Sequence, residues 1–188
     1  MSIIRNIIIN LVIISVLLST ISCVQKKQDE ESPYSCNVKI KEEGSIKTFR
    51  TSGSFIFQSQ GEEKVNAIET AASFKIDTTS GTVEKILLLS TYTLTTKNSW
   101  PVVKATFKLA DKSVIVLTTE EHIEGTMNEK VNMTGNFFNL NEDNYTKLSN
   151  NAVQEIILET QGDSVRIKPS QKIINSQLNC AFKESKKQ

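Results

Sequence analysis

Apolar and polar positions divide the chain into three stretches with different periods. From Ile7 to Ile21 it is a nearly continuous apolar run of fifteen residues, interrupted by Asn10 and Ser15. From Val24 to Pro33 only Val24 is apolar, too little to offset the entropy of ordering, so this stretch predicts a flexible tether. From Cys36 onward a period of two takes over, with the β-branched and aromatic content that suits pleated, half-buried strands. Strands are predicted over 54–58, 64–76, 83–95, 102–109, 114–117, 130–140, 152–161 and 164–168. Within 83–95, Ile86, Leu88, Tyr92 and Leu94 share one parity. Over 102–109, Val103, Ala105, Phe107 and Leu109 alternate with Val102, Lys104, Thr106 and Lys108, and the polar link 110–113 then leads into 114–117 as a hairpin. Gly61, Gly81, Gly125 and Gly162 fall in the expected gaps, where a turn can use positive φ.

About eight strands joined mostly by short polar links, without alternating helices, predict an all-β, antiparallel meander closing as a barrel or a sandwich. Two segments stand outside that plan. Residues 141–150 read as a polar loop or a short helix. A short C-terminal helix from Gln171, capped by Pro169-Ser170, would set Ile174, Leu178 and Phe182 at i, i+4 and i+8 on one face.

The apolar run at the N-terminus is too short for a membrane span, which takes about 20 apolar residues. A single positive charge at Arg5, a short apolar stretch and small residues before a cut define an export signal instead. The segment Leu18-Ser19-Thr20-Ile21-Ser22-Cys23 resembles a bacterial lipoprotein signal peptide, with Thr20 where the family usually has leucine. The resemblance implies removal of residues 1–22 and a diacylglyceryl anchor on Cys23, hence an exported chain held in the bacterial cell envelope at the outer membrane. Residues 23–35 would then be the lipidated cysteine and its tether, and 36–188 one β-rich domain, a size that supports a real core. The glutamines, lysines and acids of the tether resemble the surface-export tethers of some Gram-negative lipoproteins; a generic charged linker has the same composition.

Composition narrows the partners. The whole chain carries 22 basic and 21 acidic side chains, and losing Arg5 leaves them balanced. Scattered, balanced charge gives no footprint for nucleic acid. Lys183, Lys186 and Lys187 form a solvated tail or, at most, a weak attraction for anionic lipid. With Cys23 set aside, Cys36 and Cys180 remain, one near each end of the domain. An oxidising compartment permits them to pair, closing a loop for which the chain-entropy model gives about 5 kcal/mol at most. Two buried free thiols are the alternative, and neither a CxxC pair nor a four-ligand zinc cluster can be made from them.

Candidate chemistry is sparse. His122 is the single histidine, so any Ser-His-Asp or Cys-His mechanism would pass through it. There is no Gly-x-Ser-x-Gly elbow, Walker loop, dinucleotide turn or His-Glu-x-x-His helix, and no motif asks for a cofactor. If the strand from Val114 continues, Glu120, His122 and Glu124 project from one face and could meet a divalent cation; a hydrated strand end is the bland alternative. Trp100, in the link before Pro101, is either a ligand contact or a plug folded over the barrel end. Phe137 and Phe138 put one ring on each face of their strand, one for the core and the other to cover a neighbour or line a cavity.

These observations favour a membrane-anchored, non-enzymatic module that binds a protein, a glycan or a small apolar ligand. A lipocalin-like carrier is the nearest alternative, although the first strand lacks that family's Gly-x-Trp signature; its mark would be an apolar cavity inside the barrel. A metal-dependent hydrolase centred on His122 would need its three side chains to converge with others around a pocket. An assembly lipoprotein would show a contiguous exposed apolar patch.

Overall fold

A computed structural model describes residues 35–59, 65–94, 98–119, 121–127, 129–169 and 172–187. The expected signal, Cys23 and the expected tether up to residue 34, together with Gly61, Glu120, Ser170 and Gln171, lie outside them. Among the described residues no helix is long and apolar enough to cross a membrane. The strands are β1 (Val38–Glu43), β2 (Ile46–Thr51), β3 (Ser54–Gln58), β4 (Ala67–Asp77), β5 (Val83–Leu94), β6 (Lys104–Leu109), β7 (Val114–Thr118), β8 (His122–Met127), β9 (Val131–Asn139), β10 (Val153–Glu159) and β11 (Ser164–Ile167). Among the described residues there are also two helices, α1 (Glu142–Asn150) and α2 (Ile173–Ser185).

The strands pair antiparallel throughout, but in two sheets. Sheet A runs β1-β2-β4-β5-β9-β8, with β3 beside β4, and sheet B runs β11-β10-β6-β7. Sheet A curls into a half-barrel. Its concave face is filled by one continuous apolar cluster in which Leu87 and Leu89 of β5, Phe74 of β4 and Phe138 of β9 meet Phe107, Ile115, Ile156 and Leu158 of sheet B and Leu148, Ile174 and Leu178 of the helices. The expected alternation holds from Lys104 to Leu109, where Ala105, Phe107 and Leu109 are buried while Lys104, Thr106 and Lys108 are half-exposed; before the strand it fails, for Val102 is buried in the core and Val103 is half-exposed.

Strand β5 departs from the expected reading. Its core-facing parity is Leu87, Leu89, Thr91 and Thr93, whereas Ile86, Leu88, Tyr92 and Leu94 lie on the convex side. Two buried threonines occupy core positions because the link between the sheets crosses there and needs donors. Thr91 Oγ1 donates to the Trp100 carbonyl (3.0 Å) and Thr93 Oγ1 to that of Asn98 (3.3 Å). Asn136 of β9 completes the clamp: its Oδ1 accepts from the Val102 N–H at 2.8 Å while its Nδ2 donates to the Leu89 and Thr134 carbonyls.

The stretch from His122 to Met127 does not continue β7, contrary to one expectation. β7 belongs to sheet B, and the chain turns at Thr119, whose Oγ1 accepts from the Glu121 N–H at 3.0 Å, to enter sheet A as the edge strand β8. Gly125 therefore lies inside a strand rather than in a gap. At the β1–β2 turn, where Gly44 has φ +60°, glycine does supply the positive φ.

Helix α1 is capped by Asn141, whose side chain accepts from the Asn144 N–H at 2.8 Å, and it has Glu142 and Asp143 in the first turn. Helix α2 buries Ile174, Leu178 and Ala181. Phe182, half-buried, meets Phe74 and Tyr145 with ring centroids 5.8 and 5.7 Å apart, joining β4 and both helices. Gln177, fully buried, accepts from Thr70 Oγ1 at 2.6 Å and donates to the Thr70 carbonyl at 2.7 Å. Cys36 and Cys180 form a disulfide with Cα atoms 5.7 Å apart, tying α2 to the residue pair preceding β1.

Candidate functional site

The interior is occupied, so concave space lies on the surface. One cleft of about 630 Å3 opens where the sheets part, lined by Val103, Thr118, Thr119, Glu121, Phe137, Asn139 and Gln161. Four separate segments build it. Val103 leads into β6, with its N–H donating to the Glu159 carbonyl at 2.9 Å and its carbonyl accepting from the Thr119 N–H at 3.0 Å. Thr118 ends β7, Phe137 and Asn139 are alternate residues near the end of β9, and Gln161 sits in the β10–β11 turn. The Phe137 N–H donates to the Glu121 carbonyl at 3.2 Å, which fixes that corner.

The walls are thus held by backbone bonds and by Thr119 Oγ1, which accepts from the Glu121 N–H, while the other polar side chains stay uncommitted. Among the described residues, the side chains of Thr118, Glu121, Asn139 and Gln161 make no hydrogen bond to one another or to neighbours, leaving a hydroxyl, a carboxylate and two amides facing the cleft beside a half-buried ring. Phe138 went to the core and is fully buried, and Phe137 lines the cavity.

The other sequence candidates are placed elsewhere. Trp100 is 8% exposed and belongs to the core cluster, so its ring is packed inside and not offered to a ligand. His122 and Glu124 share the concave side of β8, Nε2 and Oε1 4.0 Å apart, both exposed, and neither lines the cleft. Glu124 Oε1 accepts from Ser99 Oγ at 2.7 Å. Among the described residues no group of three His, Cys, Asp or Glu side chains could hold a metal ion; Glu120, the third member of the expected cluster, is outside them.

A second cleft of about 550 Å3 is lined by Glu43, Ile46, Thr48, Lys75, Asp77, Ser80, Thr82 and Glu84. Its chemistry is locally spent. Asp77 accepts from the Thr79 N–H and Ser80 Oγ, both at 2.9 Å, and these bonds hold its carboxyl below the usual range, while Lys75 lies 3.6 Å from Glu84.

The chain matches no family model, no curated protein and no solved structure. The sites therefore have to be read from their own geometry.

Proposed function

We propose that this chain is an envelope lipoprotein, tethered by a lipid on Cys23, whose β domain binds a ligand without transforming it, and that the cleft at Phe137 receives a glycan segment. The lining carries the reading: two uncommitted amides, a hydroxyl and a carboxylate beside an aromatic ring, on a body whose concave interior is filled. A sugar ring presents an apolar face that stacks on Phe137 and hydroxyls that exchange hydrogen bonds with Thr118, Glu121, Asn139 and Gln161. A small apolar ligand would strand those polar groups without partners. A carrier of the lipocalin type would need the space that Leu87, Leu89, Phe107 and Leu158 occupy.

The binding test uses the chain on an array of neutral and acidic oligosaccharides. The double exchange Asn139→Ala with Gln161→Ala removes two hydrogen-bonding groups worth about 0.5 to 1.5 kcal/mol each, so roughly tenfold weaker binding is expected. No saccharide bound by the parent, or equal binding by the double variant, would overturn the assignment. The anchor is tested apart from the site. Detergent-extracted chain should have the intact mass of residues 23–188 plus a lipid adduct, and Cys23→Ser should lose it; an unmodified full-length mass contradicts the lipoprotein reading.

A further inference from the structure

We infer that a second copy of this chain adds to sheet A along β8, edge to edge and antiparallel. Among the described residues β8 ends its sheet, and every residue from His122 to Met127 is exposed. Because the Phe137 N–H bonds the Glu121 carbonyl, the antiparallel alternation turns the backbone groups of Glu121, Ile123, Gly125 and Met127 toward β9. Those of His122, Glu124 and Thr126 point to the open edge.

The two edges of sheet A differ in chemistry. β1 carries Lys39 and Lys41, the residue type that blunts an edge against pairing, whereas β8 has no lysine, arginine or proline. Its one apolar residue near the centre, Ile123, is 59% exposed.

Charge selects the occupant and the register. In a continuous two-fold sheet, opposite residues share a face, and the outward-pointing residues must meet each other, so the dyad can sit at Ile123, Glu124 or Gly125. Centring on Glu124 would set two carboxylates opposite each other, which is destabilising. Centring on Gly125 leaves the glycines facing and His122 and Glu124 without oppositely charged neighbours. Centring on Ile123 places each His122 opposite Glu124 of the second copy at hydrogen-bonded positions and buries Ile123 against its twin on the convex side. The strand is therefore self-complementary: its imidazole is a donor for its own carboxylate across the dyad, in either protonation state of the ring.

Cysteine cross-linking of the full chain reads this register directly. At Ile123 the two copies face each other in a non-hydrogen-bonded pair, with Cα atoms about 4.5 Å apart, inside the range a disulfide spans. Ile123→Cys should give a species of twice the chain mass on mild oxidation, well above the parent and Gly125→Cys treated alike. No excess over the parent, or an equal or greater yield at Gly125→Cys, overturns the proposal. Sedimentation gives an independent reading: the parent should dimerise with concentration, and Glu124→Pro, which removes one outward N–H without touching the ladder to β9, should be monomeric with an unchanged far-UV spectrum. A parent that stays monomeric, leaving the edge to another protein or to solvent, overturns it as well.

Discussion

Asn136 holds three segments together with one side chain. It is fully buried on β9 and bonds the Val102 N–H, the Leu89 carbonyl and the Thr134 carbonyl, so it fixes where the link between the sheets crosses the half-barrel. Asn136→Leu keeps the branching and the number of side-chain heavy atoms but leaves the Val102 N–H unpaired in the core, and about 2 to 4 kcal/mol of stability should be lost in urea titration. Tyr92 supplies a pH signature. Burial first, then its hydrogen bond to Glu69 at 2.5 Å and that group's charge, raise its phenol well above the ordinary range. An unfolded chain releases this proton near pH 10 while the folded one retains it, so the stabilisation is complete below about pH 10 and is lost as pH rises further. Tyr145 shifts the same way, chiefly through burial. Stability measured from pH 9 to 11 should therefore fall, and Tyr92→Phe should flatten but not abolish the slope.

At the scale of elements, most strands were legible because alternation survives wherever one face meets the core, as in Phe107 and Leu109 against Thr106 and Lys108. β5 hid its orientation for a physical reason. Neighbours cover much of both faces, so Ile86 through Leu89 are all buried, and the core-facing parity then turns polar at Thr91 and Thr93 to bind the crossing link. Hydrophobicity therefore picked the convex parity. β8 was hidden because its side chains are exposed and its identity comes from pairing with β9. The cysteine pair was readable from its count and its position at the two ends of the domain, and its effect is testable. Cys36→Ser with Cys180→Ser frees α2 from the start of β1, and about 2 to 5 kcal/mol should be lost, seen as a lower melting temperature than that of the oxidised parent. Helix α2 should still form, since Gln177 and its apolar face remain docked on β4.

At the scale of the whole molecule, sheets and helices share one core, and Trp100, the single tryptophan, sits where the sheets join. Its fluorescence and the far-UV signal should therefore report one coincident unfolding transition; an earlier change in the tryptophan would show the sheets separating on their own. The cleft belongs to this scale too. Phe137 could be singled out in the sequence, but Val103, Thr118, Glu121, Asn139 and Gln161 carry no spacing signal and meet only when both sheets are assembled. What the fold offers a ligand is thus a polar, aromatic mouth between sheets rather than a hollow barrel. Backbone amide NMR of the chain during titration with the oligosaccharide it binds best tests this most directly. Shifts concentrated at Val103, Thr118, Thr119, Glu121, Phe137, Asn139 and Gln161, with the sugar recovered unchanged, are the predicted result; shifts centred elsewhere, or a sugar cleaved during the titration, would contradict it.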